Sequence, residues 1–80
     1  MNERDARDAV RTAIGQVAPE VHVGELDESA RLQQDLELDS LDFLRLVETI
    51  EEATGVDIPE RDYAEVATVT GLIAYMAARG

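Results

Sequence analysis

Apolar side chains in this chain recur at helical spacing, and strand-like alternation is nearly absent. Ala6, Val10, Ala13, Ile14 and Val17 step as i, i+4, i+7, i+8 and i+11, which predicts an amphipathic helix over residues 3–17. Asn2 stands where a cap is needed, Glu3 and Asp5 suit the positive helix end, and Pro19 stops the helix from running on. No period is sustained from Ala18 to Asp39, where Leu26, Leu32, Leu36 and Leu38 are spread among acidic and amide side chains. A loop this long in so short a chain is either functional or pinned to the core. Pinning by the leucines is expected, with one helical turn near Ser29 to Gln33. Helical spacing returns at Ser40, where Phe43, Leu46, Val47 and Ile50 form a stripe that should face the core. Gly55 is the expected left-handed stop. Val56, Ile58 and Pro59 make an extended link, because the residue before proline avoids helical angles. Residues 60–66 suit a short third helix burying Tyr63 and Val66. Thr68 or Thr70 should cap a last helix lined by Val69, Leu72, Ile73 and Met76. The expected class is all-α: a four-helix bundle with one short helix, a long loop between helices one and two, and one domain over residues 1–80.

Composition narrows the chemistry. Seven basic residues, all arginine, face eighteen acids, for a net charge of −11. An apolar fraction of 45% separates the chain from charged disordered tails. The absence of cysteine removes disulfides, thiolate catalysis and zinc–cysteine sites. The single histidine, His22, cannot supply a metal cluster and is assigned no role. The apolar run Leu72 to Ala78 is far too short to span a bilayer, and the charged amino end lacks a secretory segment. So acidic a surface repels nucleic acid phosphates and anionic headgroups. These features together lead us to expect a cytoplasmic, monomeric protein whose partners are basic proteins.

The most informative stretch is Asp35-Leu36-Glu37-Leu38-Asp39-Ser40-Leu41-Asp42. At its plainest it is a helix cap: Asp39 or Ser40 satisfies the orphan amides, and Asp42 favours the positive end. Alternating Asp35, Glu37 and Asp39 suggest a calcium loop, but Ser40 falls where that loop needs glycine and Leu46 where it needs a bidentate glutamate. Only weak divalent-ion binding is expected at those three acids. Serine hydrolase chemistry fails as well, since no G-x-S-x-G elbow is present.

Residues 35–60, DLELDSLDFLRLVETIEEATGVDIPE, resemble the acyl carrier protein family: an acidic D-S-L opens the second helix, acids run along it, and I-P-E follows it. The register continues without gaps through Ala67-Thr68-Val69 to Tyr75-Met76, so the resemblance spans roughly residues 29–77. It implies that Ser40 carries 4′-phosphopantetheine transferred from coenzyme A, next to a helix amino terminus that favours an anion. Asp39 would help to recruit the phosphopantetheinyl transferase, and Leu41 completes the motif. The arm's thiol would hold acyl groups as thioesters, so the chain would be a tethered substrate and not an enzyme. Asp42, Leu44, Arg45, Glu48, Glu51 and Glu52, with Leu41, are read as a docking face with an apolar centre and acidic rim for acyl-loading and acyl-processing enzymes bearing basic surfaces. Phe43, Leu46, Ile50, Ile58, Tyr63 and Leu72 read as ordinary core, although the family's core can open to shelter an acyl chain.

Three positions depart from the fatty-acid-synthesis members of the family. Arg45 replaces an acid, Glu48 an apolar residue and Thr54 a phenylalanine, which fits a free-standing carrier for a polyketide, specialised lipid or aminoacyl pathway better than a housekeeping fatty acid carrier. The expected enzymes are those of fatty acid, polyketide or specialised lipid biosynthesis. The peptidyl-carrier signature G-G-[HD]-S is missing before Ser40. An aminoacyl or peptidyl carrier and an unmodified acidic adaptor remain the alternatives.

Overall fold

Each α-helix forms where the apolar period and a capping side chain agree. The computed structural model describes residues 1–79 and is all-helical. Helix α1 spans Glu3–Val17, α2 Ser40–Thr54 and α3 Val69–Arg79, with a short 3-10 helix at Glu60–Val66 between the last two. Asn2 caps α1 by accepting the Asp5 amide at 2.8 Å, and Asp39 caps α2 by accepting the Asp42 amide at 2.8 Å. Thr68, rather than Thr70, caps α3: its hydroxyl accepts the Gly71 amide at 3.0 Å. Gly55 ends α2 at φ 76°, and its amide reaches back to the Glu51 carbonyl at 2.7 Å.

Helix α1 packs against both α2 and α3, and the 3-10 helix packs against α3. Ala6, Val10, Ala13 and Ile14 from α1 meet Phe43, Leu46, Val47 and Ile50 from α2 and Val69, Leu72, Ile73 and Met76 from α3 in one core. Residues 60–66 form the expected short third helix as a 3-10 helix that leaves the extended Pro59. Val66 is buried as expected, whereas Tyr63 is only half-buried. The turn between this segment and α3 is tight. A Cβ on Gly71 would collide with the Glu65 carbonyl oxygen, so a side chain at this position would push the two helices apart.

The long loop is pinned, with one correction to its local structure. Leu32 and Leu38 are buried, and Leu26 and Leu36 pack partly against the core. A 3-10 turn lies at Val23–Glu25, and the expected helical turn forms two residues later than Ser29 to Gln33: the Asp35 amide donates to the Arg31 carbonyl at 2.9 Å. Asp27 instead makes a side-chain turn onto Ser29, accepting its amide at 2.9 Å and its hydroxyl at 2.7 Å. The chain then runs extended, and Arg31 bridges antiparallel to Thr68. The Leu32 amide donates to the Ala67 carbonyl at 2.9 Å, the Val69 amide to the Ala30 carbonyl at 3.1 Å and the Thr70 amide to the Glu28 carbonyl at 2.7 Å. The Glu28 side chain completes this clasp by binding Arg7 and, at 3.2 Å, Arg11 on α1.

Candidate functional site

The chain approaches α2 through a constrained bend. Leu38 is buried and fixes the last loop residues to the core, while Glu37 adopts φ 59°, a left-handed conformation that a side chain disfavours. Ser40 then opens α2, exposed to solvent. Its Oγ makes no hydrogen bond to the described residues. Because Asp39 satisfies the Asp42 amide and its carbonyl takes the Phe43 amide, the Ser40 and Leu41 amides remain the open donors of this helix end. The site therefore offers an accessible hydroxyl beside free amides at the positive end of a helix. These features suit a phosphodiester.

From Ser40 the solvent face of α2 runs as one strip. Leu41, Leu44, Arg45, Glu48, Glu51 and Glu52 follow helical spacing on the side opposite Phe43, Leu46, Val47 and Ile50, and all six are exposed. Leu41 is 68% exposed and Leu44 41%, the exposed large apolar residues among the described residues. Among the described residues Glu48, Glu51 and Glu52 form no ion pair. Asp42 departs from the expected rim: it lies at the flank, half-buried, with its carboxylate 3.8 Å from Arg45.

The acids of the preceding loop are differently placed. Arg31 binds Asp35 through Nε at 3.1 Å and Nη2 at 3.0 Å, and with the Arg31 amide it holds the carboxyl below the usual aspartate range. Asp35 is thus withdrawn from the expected divalent cluster with Glu37 and Asp39. Among the described residues no group of three such side chains could hold a metal ion.

Beside Ser40, between α2 and the 3-10 helix, lies an open cleft of about 440 Å³. Phe43, Leu44, Tyr63, Ala64 and Ala67 line it together with Gln33, Gln34 and Glu60. Sequence patterning placed Phe43 and Tyr63 in the core and missed this cleft. It brings together three segments far apart in the chain, and no local periodicity marks such a meeting.

Comparison with known proteins specifies the class. The family described as "Phosphopantetheine attachment site" matches residues 8–76. The acyl carrier protein of Rubrobacter xylanophilus is 36% identical over 56 residues, 70% of this chain and 69% of that one. The acyl carrier protein of Streptomyces coelicolor is 30% identical over 76 residues, 95% of this chain and 83% of that one. A small helical bundle with this match is a phosphopantetheine-binding carrier. The chain belongs to the acyl carrier protein family, whose prosthetic group is phosphopantetheine and whose members work with partner enzymes. No helix among the described residues is long and apolar enough to cross a membrane.

Proposed function

We propose that residues 1–80 act as one monomeric carrier domain in the cytoplasm, with Ser40 as the attachment point of 4′-phosphopantetheine. The observation that carries this reading is the exposed, unbonded Ser40 hydroxyl at the first position of α2, directly after the capping Asp39. On a transferase, Ser40 Oγ attacks the pantetheine-bearing phosphorus of coenzyme A, adenosine 3′,5′-bisphosphate leaves, and the hydroxyl proton passes to the transferase. The bound group supplies a thiol that this cysteine-free chain lacks. The Ser40 and Leu41 amides stabilise the phosphodiester charge, and Asp39 fixes the helix end that presents it.

The chain itself performs no catalysis in this reading. It presents acyl thioesters to enzymes that dock on the α2 strip: Leu41 and Leu44 supply the apolar centre, and Glu48, Glu51 and Glu52 meet basic residues. Arg45, turned toward Asp42, interrupts the acidic surface and selects against fatty acid enzymes adapted to an acid there. That interruption favours a specialised polyketide or lipid pathway. Incubation with coenzyme A and a broad-specificity transferase should add one phosphopantetheinyl mass, and Ser40→Ala should abolish it with the helical circular dichroism unchanged. Modification that persists in Ser40→Ala moves the site. A wild type that never accepts the group leaves an acidic adaptor.

A further inference from the structure

The bend before Ser40 contains the one non-glycine residue with a left-handed backbone among the described residues, Glu37 at φ 59°. Its neighbours hold the bend without help from its side chain. The Leu36 amide donates to the Arg31 carbonyl at 3.2 Å and the Leu38 amide to the Leu32 carbonyl at 3.3 Å. Leu38 is buried, and Leu36 packs partly against the core. These flanking contacts over-determine the left-handed conformation. Glycine would enter it without steric cost, and asparagine or aspartate more readily than glutamate. A long acidic side chain is a poor choice for this backbone.

The carboxylate does not serve the fold either. Glu37 is exposed and makes no hydrogen bond or ion pair to the described residues. Asp27, Glu28 and Asp35 in the same loop each bind within the chain. A side chain that strains its backbone and binds nothing in its own chain points to a contact outside it. Its position indicates which. Glu37 lies three residues before Ser40, within about 11 Å even along a fully extended chain. Leu38 between them is buried, whereas Glu37, Asp39 and Ser40 are all exposed. An interface of ordinary size, about 800 Å² per partner and centred on Ser40, covers that radius.

We propose that Glu37 is a docking residue for the transferase: its carboxylate meets an arginine or lysine of that enzyme, and the left-handed bend holds it beside Ser40. The partner surface thereby extends off α2 onto the loop. The inference rests on Ser40 being the attachment point.

The test follows phosphopantetheine transfer from coenzyme A by intact mass, with the broad-specificity transferase and a series of carrier concentrations. Glu37→Gln and Glu37→Gly should each raise KM for the carrier about three- to fivefold with kcat kept, as loss of an exposed charge pair does. The difference should shrink as salt is added. Glu37→Asp, which keeps the charge, should recover most of the loss. The thermal midpoint of Glu37→Gly should equal or exceed that of wild type, which separates slower docking from a damaged fold. Wild-type KM in Glu37→Gln and Glu37→Gly overturns the docking role and leaves the carrier reading intact. A rise in Glu37→Gly alone does the same, since it traces to the freed backbone. A wild type in which Ser40 never accepts the group overturns both.

Discussion

In the loop from Ala18 to Asp39, the acidic residues that matter to the fold are bound. Glu28 takes Arg7 and Arg11 from α1, and Asp35 takes Arg31. Along α2, Glu48, Glu51 and Glu52 stand in solvent without such partners among the described residues, and the helix's single base, Arg45, turns to Asp42. The leucines divide in the same way, for Leu32 and Leu38 are buried in the loop whereas Leu41 and Leu44 are exposed on the helix. An irregular segment thus carries the fastening and a regular helix carries the open surface. Helical hydrogen bonds make α2 self-sufficient in its backbone, so its outer face is free for other uses. The loop has no such ladder, and its backbone groups and side chains must find partners in the core, on α1 and at the start of α3.

Exchanging one leucine in each region should break this comparison most sharply. Leu32→Ala removes a fully buried side chain and should lower unfolding stability by about 2–5 kcal/mol in urea titration. Leu44→Ala should leave that titration nearly unchanged and instead speed dissociation from a docked loading enzyme by roughly tenfold, as the loss of a central apolar anchor does. A Leu44→Ala variant as unstable as Leu32→Ala would erase the distinction.

Charge provides the next contrast. Glu51→Lys/Glu52→Lys should slow association with the transferase and with a loading enzyme by about tenfold at low salt, with little change in dissociation, and the difference should shrink as salt is added. Unchanged association would move the docking surface off α2.

The loop acids should instead appear in the pH dependence of stability. Hydrogen bonds from Arg7 hold the Glu28 carboxyl below its ordinary value of 4.5, and those from Arg31 hold Asp35 below 3.8. A carboxyl whose pKa is depressed by folding stabilises the fold above its unfolded value, and that contribution is lost as pH falls through the folded value. The melting temperature should therefore decline below about pH 4.5, and Glu28→Gln should flatten part of that decline while lowering the melting temperature by a few degrees at neutral pH. An unaltered acid limb in Glu28→Gln would show that the clasp does not depend on its charge.

The smallest effect is expected at the junction of the two regions. Glu37 sits at φ 59°, so Glu37→Gly should relieve a left-handed side chain and raise stability by about 0.5 kcal/mol, the strain relieved outweighing glycine's extra chain entropy. Thermal unfolding resolves this, and a destabilised variant would mean that the Glu37 side chain contributes to the bend.

The sequence by itself determined where the three α-helices lie and narrowed their caps to Asn2, to Asp39 or Ser40, and to Thr68 or Thr70. Those features depend on the spacing of Val10, Ile14, Leu46, Ile50 and Leu72 and on Asn2, Asp39 and Gly55, all of which act within a turn or two. It also determined the serine-bearing motif and the family it resembles, because both are contiguous. Only the tertiary structure decided what depends on distant residues: the bridge from Arg31 to Thr68, the reach of Glu28 to two arginines on α1, and the ring of Tyr63 against Phe43. The helical turn expected near Ser29 to Gln33 is displaced by two residues, to residues 31–35, for the same reason. Local propensity there is weak, and hydrogen bonds to Ala67 and from Val69 and Thr70 draw the backbone into an extended path that no neighbouring residue specifies.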